Sequence, residues 1–287
     1  MKTIGFIGLG IMGESMCANL IKKRDEDVLV YDIVDKKVEQ MVDLGAQAAG
    51  SNSEVAAKSD IIISMVPKSE HVKAVYEDIK EELTEGKLWI DMSTIKPSVS
   101  KELSEKVSSR GADMVDSPVV KSKSAAVDGT LGIYFGGKKE IFEDVKEILL
   151  TMGEDIIYLG DNGSGLVMKI CHNMLVGQIQ NGVNEMLTMA QKADIDINDF
   201  TKAISYGGGQ NFYLDAKAES IKERDFTTAF SVENMNKDVG IAKSIKENMT
   251  LDLPGIDLVK KVYDQAMDLG YGSEDFSATI KVIENRN

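Results

Sequence analysis

The sequence predicts an α/β protein: a doubly wound, mostly parallel sheet over residues 1–160, followed by an all-helical domain over residues 161–287. Three observations carry this reading. Short apolar, β-branched runs alternate with charged amphipathic segments as far as about Gly160. Beyond the turn GDNGSG, Gly160 to Gly165, the apolar residues fall at three- and four-residue intervals. A glycine-rich loop stands between the first apolar run and the first helical pattern.

The strand-like runs are Thr3 to Ile7, Val28 to Tyr31, Ile61 to Val66, Leu88 to Asp91, Met114 to Asp116, Leu131 to Phe135 and Ile156 to Leu159. Runs apolar on both faces, separated by helical patterns, are what a parallel sheet covered on both sides requires. From Leu166 to about Ala193 the spacing of Val167, Ile170, Met174, Val176, Ile179, Val183, Leu187 and Ala190 describes one long helix. The rest keeps helical spacing and contains a single proline, Pro254. No repeat, low-complexity tract or Pro/Gly-rich linker divides the chain, so the long helix is expected to begin at the domain junction. The cleft beside it is then the default site.

Composition excludes several classes. With 43% apolar residues over 287 positions the chain can bury a substantial core. Lys and Arg total 33 against 47 Asp and Glu, a net charge of -14, which argues against a nucleic-acid partner, since that needs a concentrated positive surface. Cys17 and Cys171 are the only cysteines and lie in apolar helical patterns, so neither a disulfide framework nor a metal site is expected. The N-terminal stretch superficially resembles a signal peptide, but its glycines are spaced as a nucleotide loop. No run approaches the ~18 apolar residues of a membrane span, and a cytoplasmic location is expected.

Gly8, Gly10 and Gly13 form G-x-G-x-x-G directly after a strand and directly before the helical pattern Met12, Met16, Leu20. Such a loop lets backbone N–H groups at a helix start meet a pyrophosphate. Asp32 closes the second strand at the distance expected of a residue that accepts hydrogen bonds from the adenosine ribose. A 2′-phosphate would set like charge against it, at a cost of a few kcal/mol at ~4 Å and an effective dielectric of ~20. NAD(H) is therefore the expected cofactor, with Lys36 and Lys37 the counterweight in favour of NADP.

At this point the chain resembles the β-hydroxyacid dehydrogenases, the family of the 3-hydroxyisobutyrate, tartronate semialdehyde and sulfolactaldehyde enzymes. GLGIMGESMCANL at Gly8 to Leu20 is followed in family order by MVP at Met65 to Pro67 and DMSTIKP at Asp91 to Pro97. DSPV and DGTL follow between Asp116 and Leu131, then GSGLVMKICHN at Gly163 to Asn173 and KDVGIA at Lys237 to Ala242. The resemblance implies a Rossmann-like domain followed by a helical one. It also implies cofactor contacts from Ile11, Met12, Val66, Pro67, Thr94 and Lys237, a substrate contact from Ser93, and a homodimer or homotetramer built through the helical domain.

Hydride transfer to or from a carbon bearing oxygen needs a group that gives or takes the oxygen's proton. Lys169 is the candidate. It lies one turn into the long helix among Leu166, Val167, Met168 and Ile170, where desolvation disfavours its charged form. The resemblance makes it the family's catalytic lysine. Asn173, four residues on, shares its helix face and can bond the substrate hydroxyl or align the ammonium. His172, next to Asn173, points off that face.

One stretch departs from the family. Where most relatives carry Ser-Gly-Gly, this chain has Val120, Lys121 and Ser122, then Lys123 and Ser124. The change resembles the sulfolactaldehyde reductase branch, with Lys121 and Ser122 as a charge-assisted contact and a hydroxyl donor to a sulfonate. The expected activity is thus interconversion of a short anionic aldehyde and its hydroxy acid. Sulfolactaldehyde is the first candidate, and 3-hydroxyisobutyrate, tartronate semialdehyde and succinic semialdehyde/4-hydroxybutyrate are the alternatives. A catalytically silent dinucleotide-binding module is the competing class, disfavoured by the presence of Lys169. Imine reduction and decarboxylating phosphogluconate chemistry are disfavoured as well, the first because that branch replaces the lysine and the second because its helical domain is much larger.

Overall fold

A computed structural model describes residues 2–286. Contacts divide the chain into two compact units, one ending at Lys169 and the other beginning at Ile170. In the first unit, strands and helices alternate: β1 (Ile4–Ile7), α1 (Gly13–Lys23), β2 (Val28–Tyr31), α2 (Asp35–Val42), β3 (Gln47–Ala48), α3 (Asn52–Lys58), β4 (Ile61–Ser64), α4 (Ser69–Ile79), β5 (Leu88–Asp91), α5 (Pro97–Ser108) and β6 (Asp113–Asp116). These strands form a six-stranded sheet in the order β3-β2-β1-β4-β5-β6, with every pairing parallel. That order places the topological switch point between β1 and β4.

The alternation predicted from sequence follows from the pleat, which sends successive side chains to opposite faces. Ile4, Phe6, Ile61, Ile63, Ile90 and Val115 enter one apolar cluster with α1 residues such as Met16 and Leu20. Ile7, Ile62, Trp89 and Met114 enter the other, with Val55 of α3, Val72 and Ile79 of α4, and Leu103 of α5. Both faces are buried, which is why the strands read as continuous apolar runs.

Registry is level across the sheet. Ile4 pairs with Val28 and Ile61, Ile61 with Leu88, and Leu88 with Asp113. The carboxyl ends therefore fall in one row: Tyr31, Ile7, Ser64, Asp91 and Asp116. Every loop that follows a strand leaves the sheet from the same edge.

The remaining strands of this unit do not extend that sheet. β7 (Val119–Val120), β8 (Leu131–Phe135) and β9 (Gly153–Tyr158) form a second, mixed sheet with β7 antiparallel and β9 parallel to β8. Helices α6 (Lys123–Asp128) and α7 (Lys139–Leu149) fill the connections. The six-stranded parallel sheet is the doubly wound sheet expected from the sequence, and these three strands stand beside it. An isolated antiparallel bridge from Asp116 to Gly136 joins the end of β6 to the end of β8 instead of a full strand ladder. β3 and β7, two residues each, are too short to register as periodic runs.

Helix α8 (Ser164–Lys192) is the predicted long helix. The division between units falls inside it, after Lys169, rather than in the turn before it. Its first turn belongs to the first unit because Leu166 is fully buried in the cluster that contains Trp89 and Leu103. The second unit continues with α9 (Ile197–Ile204), α10 (Phe212–Lys222), α11 (Val232–Asn248), α12 (Pro254–Asp268), a 3-10 turn at Phe276–Thr279 and α13 (Ile280–Asn285). It has its own apolar core, including Leu187, Leu214, Val239 and Val259. Among the described residues no helix is long and apolar enough to cross a membrane.

Phe6, with no exposed surface, belongs to the first cluster. Phe6→Ala is expected to cost about 3–5 kcal/mol through the lost burial and the cavity left behind, measurable as a reduced urea midpoint.

Candidate functional site

The loop after β1 and the loop after β4 diverge at the switch point, and their atoms are in contact. Gly8 adopts φ +93°, and a Cβ there would stand 2.4 Å from the Met65 carbonyl oxygen and 3.1 Å from Val66 Cγ1. At Gly13 a Cβ would lie 2.1 Å from the Gly8 carbonyl oxygen. These two glycines are demanded by the protein's own packing. Gly10 is different: it is exposed, and a Cβ there would meet nothing within 4 Å. No protein atom requires Gly10 to be small, and the space beside it is open to a group that approaches from outside. Met12, at the start of α1, supplies no side-chain cap, while Glu14 N is taken by the Gly10 carbonyl oxygen at 3.0 Å. The loop therefore fits a pyrophosphate seated on backbone N–H groups. Ile11 is largely exposed beside Gly10, and Met12 is half-buried.

Asp32, just past β2, is fixed by two backbone donors, Leu9 N at 2.6 Å on Oδ2 and Val34 N at 2.9 Å on Oδ1. Each oxygen keeps acceptor capacity for a ribose hydroxyl. Lys37, one of the two lysines that could have answered a 2′-phosphate, is instead paired with Glu14 of α1.

Ser93 is fully buried, and its hydroxyl is engaged on both sides: it accepts from Val66 N at 2.9 Å and donates to Asp91 Oδ1 at 2.6 Å. That hydroxyl forms a brace between the loops after β4 and β5. Thr94 and Val66 are half-buried and Pro67 is exposed on those same loops.

The brace ends on a carboxylate that sequence reasoning missed. Asp91 Oδ1 also accepts from Ser64 Oγ at 2.8 Å, and Ser64 in turn accepts from Trp89 Nε1 at 2.8 Å. Oδ2 is buried with no hydrogen-bond partner. Burial pushes the Asp91 carboxyl up to about 6, against the serine hydrogen bonds that favour its ionised form. Asp116, its neighbour in the row of strand ends, is buried too. Its carboxyl is raised to about 7, by burial first and with the Asp91 charge adding to the rise, while bonds from Gly163 N and Leu166 N oppose it. The available signal was an aspartate closing each apolar run, in LWID and DMVD.

Lys169 is half-buried in the second turn of α8. Asn173, one turn further along the helix, is buried, and its Nδ2 donates to Asp238 Oδ2 at 2.7 Å. Asp238 belongs to α11, and Lys237 places its ammonium 3.4 Å from Asp238 Oδ1. Asn173, Asp238 and Lys237 thus form one polar group. Asp238 was not singled out, although it lies within the KDVGIA stretch.

Lys121 is paired with groups of the protein itself. Its backbone is in the left-handed region at φ 80°, and its ammonium lies 2.8 Å from Glu154, 2.8 Å from Asp155 and 2.6 Å from the Thr130 carbonyl oxygen. These partners on and beside β9 neutralise the charge that was expected to clamp a headgroup. Ser122 is exposed, with its hydroxyl 2.6 Å from that of Ser124.

Comparison with known proteins follows this geometry. A family model described as the NAD binding domain of 6-phosphogluconate dehydrogenase matches residues 3–160. A second, described as NAD-binding of NADP-dependent 3-hydroxyisobutyrate dehydrogenase, matches residues 163–283. The chain belongs to the β-hydroxyacid dehydrogenase family. Within that family it is 33% identical to the 2-(hydroxymethyl)glutarate dehydrogenase of Eubacterium barkeri, over 98% of this chain and 94% of the relative. It is 31% identical to glyoxylate/succinic semialdehyde reductase 1 of Arabidopsis thaliana, over 98% of each. The solved structure of Mycobacterium tuberculosis 3-hydroxyisobutyrate dehydrogenase with L-serine superposes with a TM-score of 0.92 at 27% identity, covering 99% of both chains. As a β-hydroxyacid dehydrogenase the protein is an NAD-dependent oxidoreductase, and the glycine loop described above lies within the residues matched by the NAD binding domain model.

The packing separates the glycines experimentally. Gly10→Ala is expected to leave thermal stability near wild type while weakening NADH binding at least about tenfold, ~1.4 kcal/mol, as read by fluorescence titration. Gly13→Ala, whose Cβ collides with backbone, is expected to lose about 1–3 kcal/mol of stability. Asp91 gives a pH signature. With its folded value raised, the native state holds a proton that the unfolded chain releases from about pH 4 upward, so its contribution to stability falls as pH rises to about 6. Relative to Asp91→Asn, wild-type stability should drop by on the order of 2–3 kcal/mol between pH 4 and pH 7 in denaturant titrations.

Proposed function

We propose that this enzyme interconverts a short aldehyde bearing a carboxylate and the matching hydroxy acid, with Lys169 as the proton donor and acceptor. The observation that carries the reading is the position of Lys169, a half-buried lysine in the otherwise apolar start of α8. When bound, NAD supplies or accepts the hydride at its nicotinamide ring. In the reducing direction the Lys169 ammonium gives a proton to the carbonyl oxygen as that oxygen gains negative charge, and the lysine then regains a proton from solvent. In the oxidising direction neutral Lys169 takes the hydroxyl proton. Asn173, oriented through Asp238, hydrogen-bonds the substrate oxygen, and Lys237 holds the cofactor near its reactive end. Ile11, Met12, Val66, Pro67 and Thr94 line the dinucleotide. Asp32, with Lys37 diverted to Glu14, supports NAD over NADP.

The relatives named above act on carboxylate compounds by their names, which supports a carboxylate headgroup. The sulfonate reading depended on Lys121, and that ammonium would have to abandon two carboxylates to serve it. Ser122, exposed at the start of α6, remains the proposed hydroxyl donor to the headgroup. Exposed Leu175, Met186 and Met189 on α8 support assembly into a dimer or tetramer through the helical unit.

Lys169→Ala is expected to lower turnover of NADH with succinic or methylmalonate semialdehyde by roughly 10²–10⁴-fold, with NADH affinity unchanged. Full turnover in the variant would refute the assignment. Lys121→Ala should leave the order of preference among these aldehydes and sulfolactaldehyde unaltered; selective loss of a sulfonate substrate would restore the headgroup role.

A further inference from the structure

The first four N–H groups of an α-helix have no partner within the helix, and a side chain at the residue before it commonly supplies one. Helix α8 is preceded by Gly163, which has no side chain to offer. The acceptor comes from another strand. Asp116, at the end of β6, receives Gly163 N on Oδ1 and Leu166 N on Oδ2, the latter at 2.8 Å.

Its surroundings are shaped to keep it there. A Cβ at Gly136 would lie 2.6 Å from Asp116 Oδ1, and one at Gly165 would lie 2.8 Å from Oδ2 and 2.3 Å from the Tyr134 carbonyl oxygen. Two glycines, one closing β8 and one opening α8, therefore vacate the space that the carboxylate fills. The Asp116 main chain is fixed as well: its N–H donates to Gly136 O at 3.0 Å and its carbonyl accepts from Gly136 N at 2.8 Å. Leu166, the residue bonded to Oδ2, is buried and stands one turn before Lys169. The helix cannot rotate or slide at this end without breaking a bond to a buried acceptor.

We infer that Asp116 is a positioning residue for the reaction: its carboxylate caps α8 from the end of β6 and thereby sets the placement of Lys169. The inference rests on the reading of Lys169 as the proton donor. Asp116 touches neither substrate nor cofactor in this account. Replacing one of its oxygens by an N–H donor would set donor against donor at either Gly163 or Leu166 and release the first turn.

The test is Asp116→Asn made in the wild type and in Lys169→Ala, with kcat, KM for aldehyde and the NADH dissociation constant measured for all four proteins. The expected result is a loss of kcat of about 10–100-fold in the wild-type background, the scale of a misplacement near 1 Å. NADH affinity should stay within about threefold, and no further loss should appear in the Lys169→Ala background, the pattern of two residues acting through one group. An equal loss in both backgrounds, or an unchanged kcat, overturns the inference. Full activity in Lys169→Ala alone identifies failure of the proton-donor reading, and the inference falls with it. Native-state hydrogen exchange of the unaltered enzyme tests the cap without any variant: the Leu166 amide should be protected like those of β6. Exchange at the rate of an uncapped first-turn amide overturns the proposal even if Asp116→Asn does not fold.

Discussion

Two carboxylates buried side by side at the ends of β5 and β6 hold the working edge of the protein together. Asp91 gathers Ser64, Ser93 and, through Ser93, the N–H of Val66; Asp116 gathers the start of α8. Because the strands run in level register, these groups stand in one row, and the loops that follow inherit a common origin. Burying such acids is costly, and the raised values of both record that cost. What the arrangement secures is geometry: two loops and a helix start are tied to a sheet that is itself covered on both faces.

Charge at the edge is managed by local pairing. Asp32 is held by two backbone donors, Lys37 is taken by Glu14, and Lys121 by Glu154 and Asp155. A cation visible in the sequence is therefore not by itself a free cation in the fold. Lys121 occupies a left-handed position, and its long side chain reaches back along the second sheet. A lysine with two carboxylates within 3 Å offers an incoming anion little unless that anion displaces them.

Helix α8 carries both residues that the sequence made visible and contacts that it hid. Lys169, set among apolar neighbours one turn after a glycine turn, was visible as an anomaly in the pattern. Asn173 was visible through its spacing from Lys169. Asp116, which accepts from Leu166 N at the helix start, and Asp238, which accepts from Asn173, were not visible, because they lie 50 and 65 positions away along the chain from Leu166 and Asn173 respectively and are brought near only by folding. The partners of Ser93 were hidden for the same reason: nothing local to DMSTIKP shows that its hydroxyl lies between a neighbouring loop's N–H and a buried acid.

By itself the sequence determined the alternation of strands and helices, the glycine loop and its acidic partner after β2, the long helix and the lysine at its start. Each depends on short-range periodicity or on residues a few positions apart, which the linear order preserves. The tertiary structure alone decided that β7, β8 and β9 leave the main sheet, that Ser93 is a brace, that Lys121 is spent on β9, and that Asp91 and Asp116 share a row. Those outcomes depend on strand order and on donors from distant segments competing for one buried acceptor, and no pattern along the chain records which donor wins.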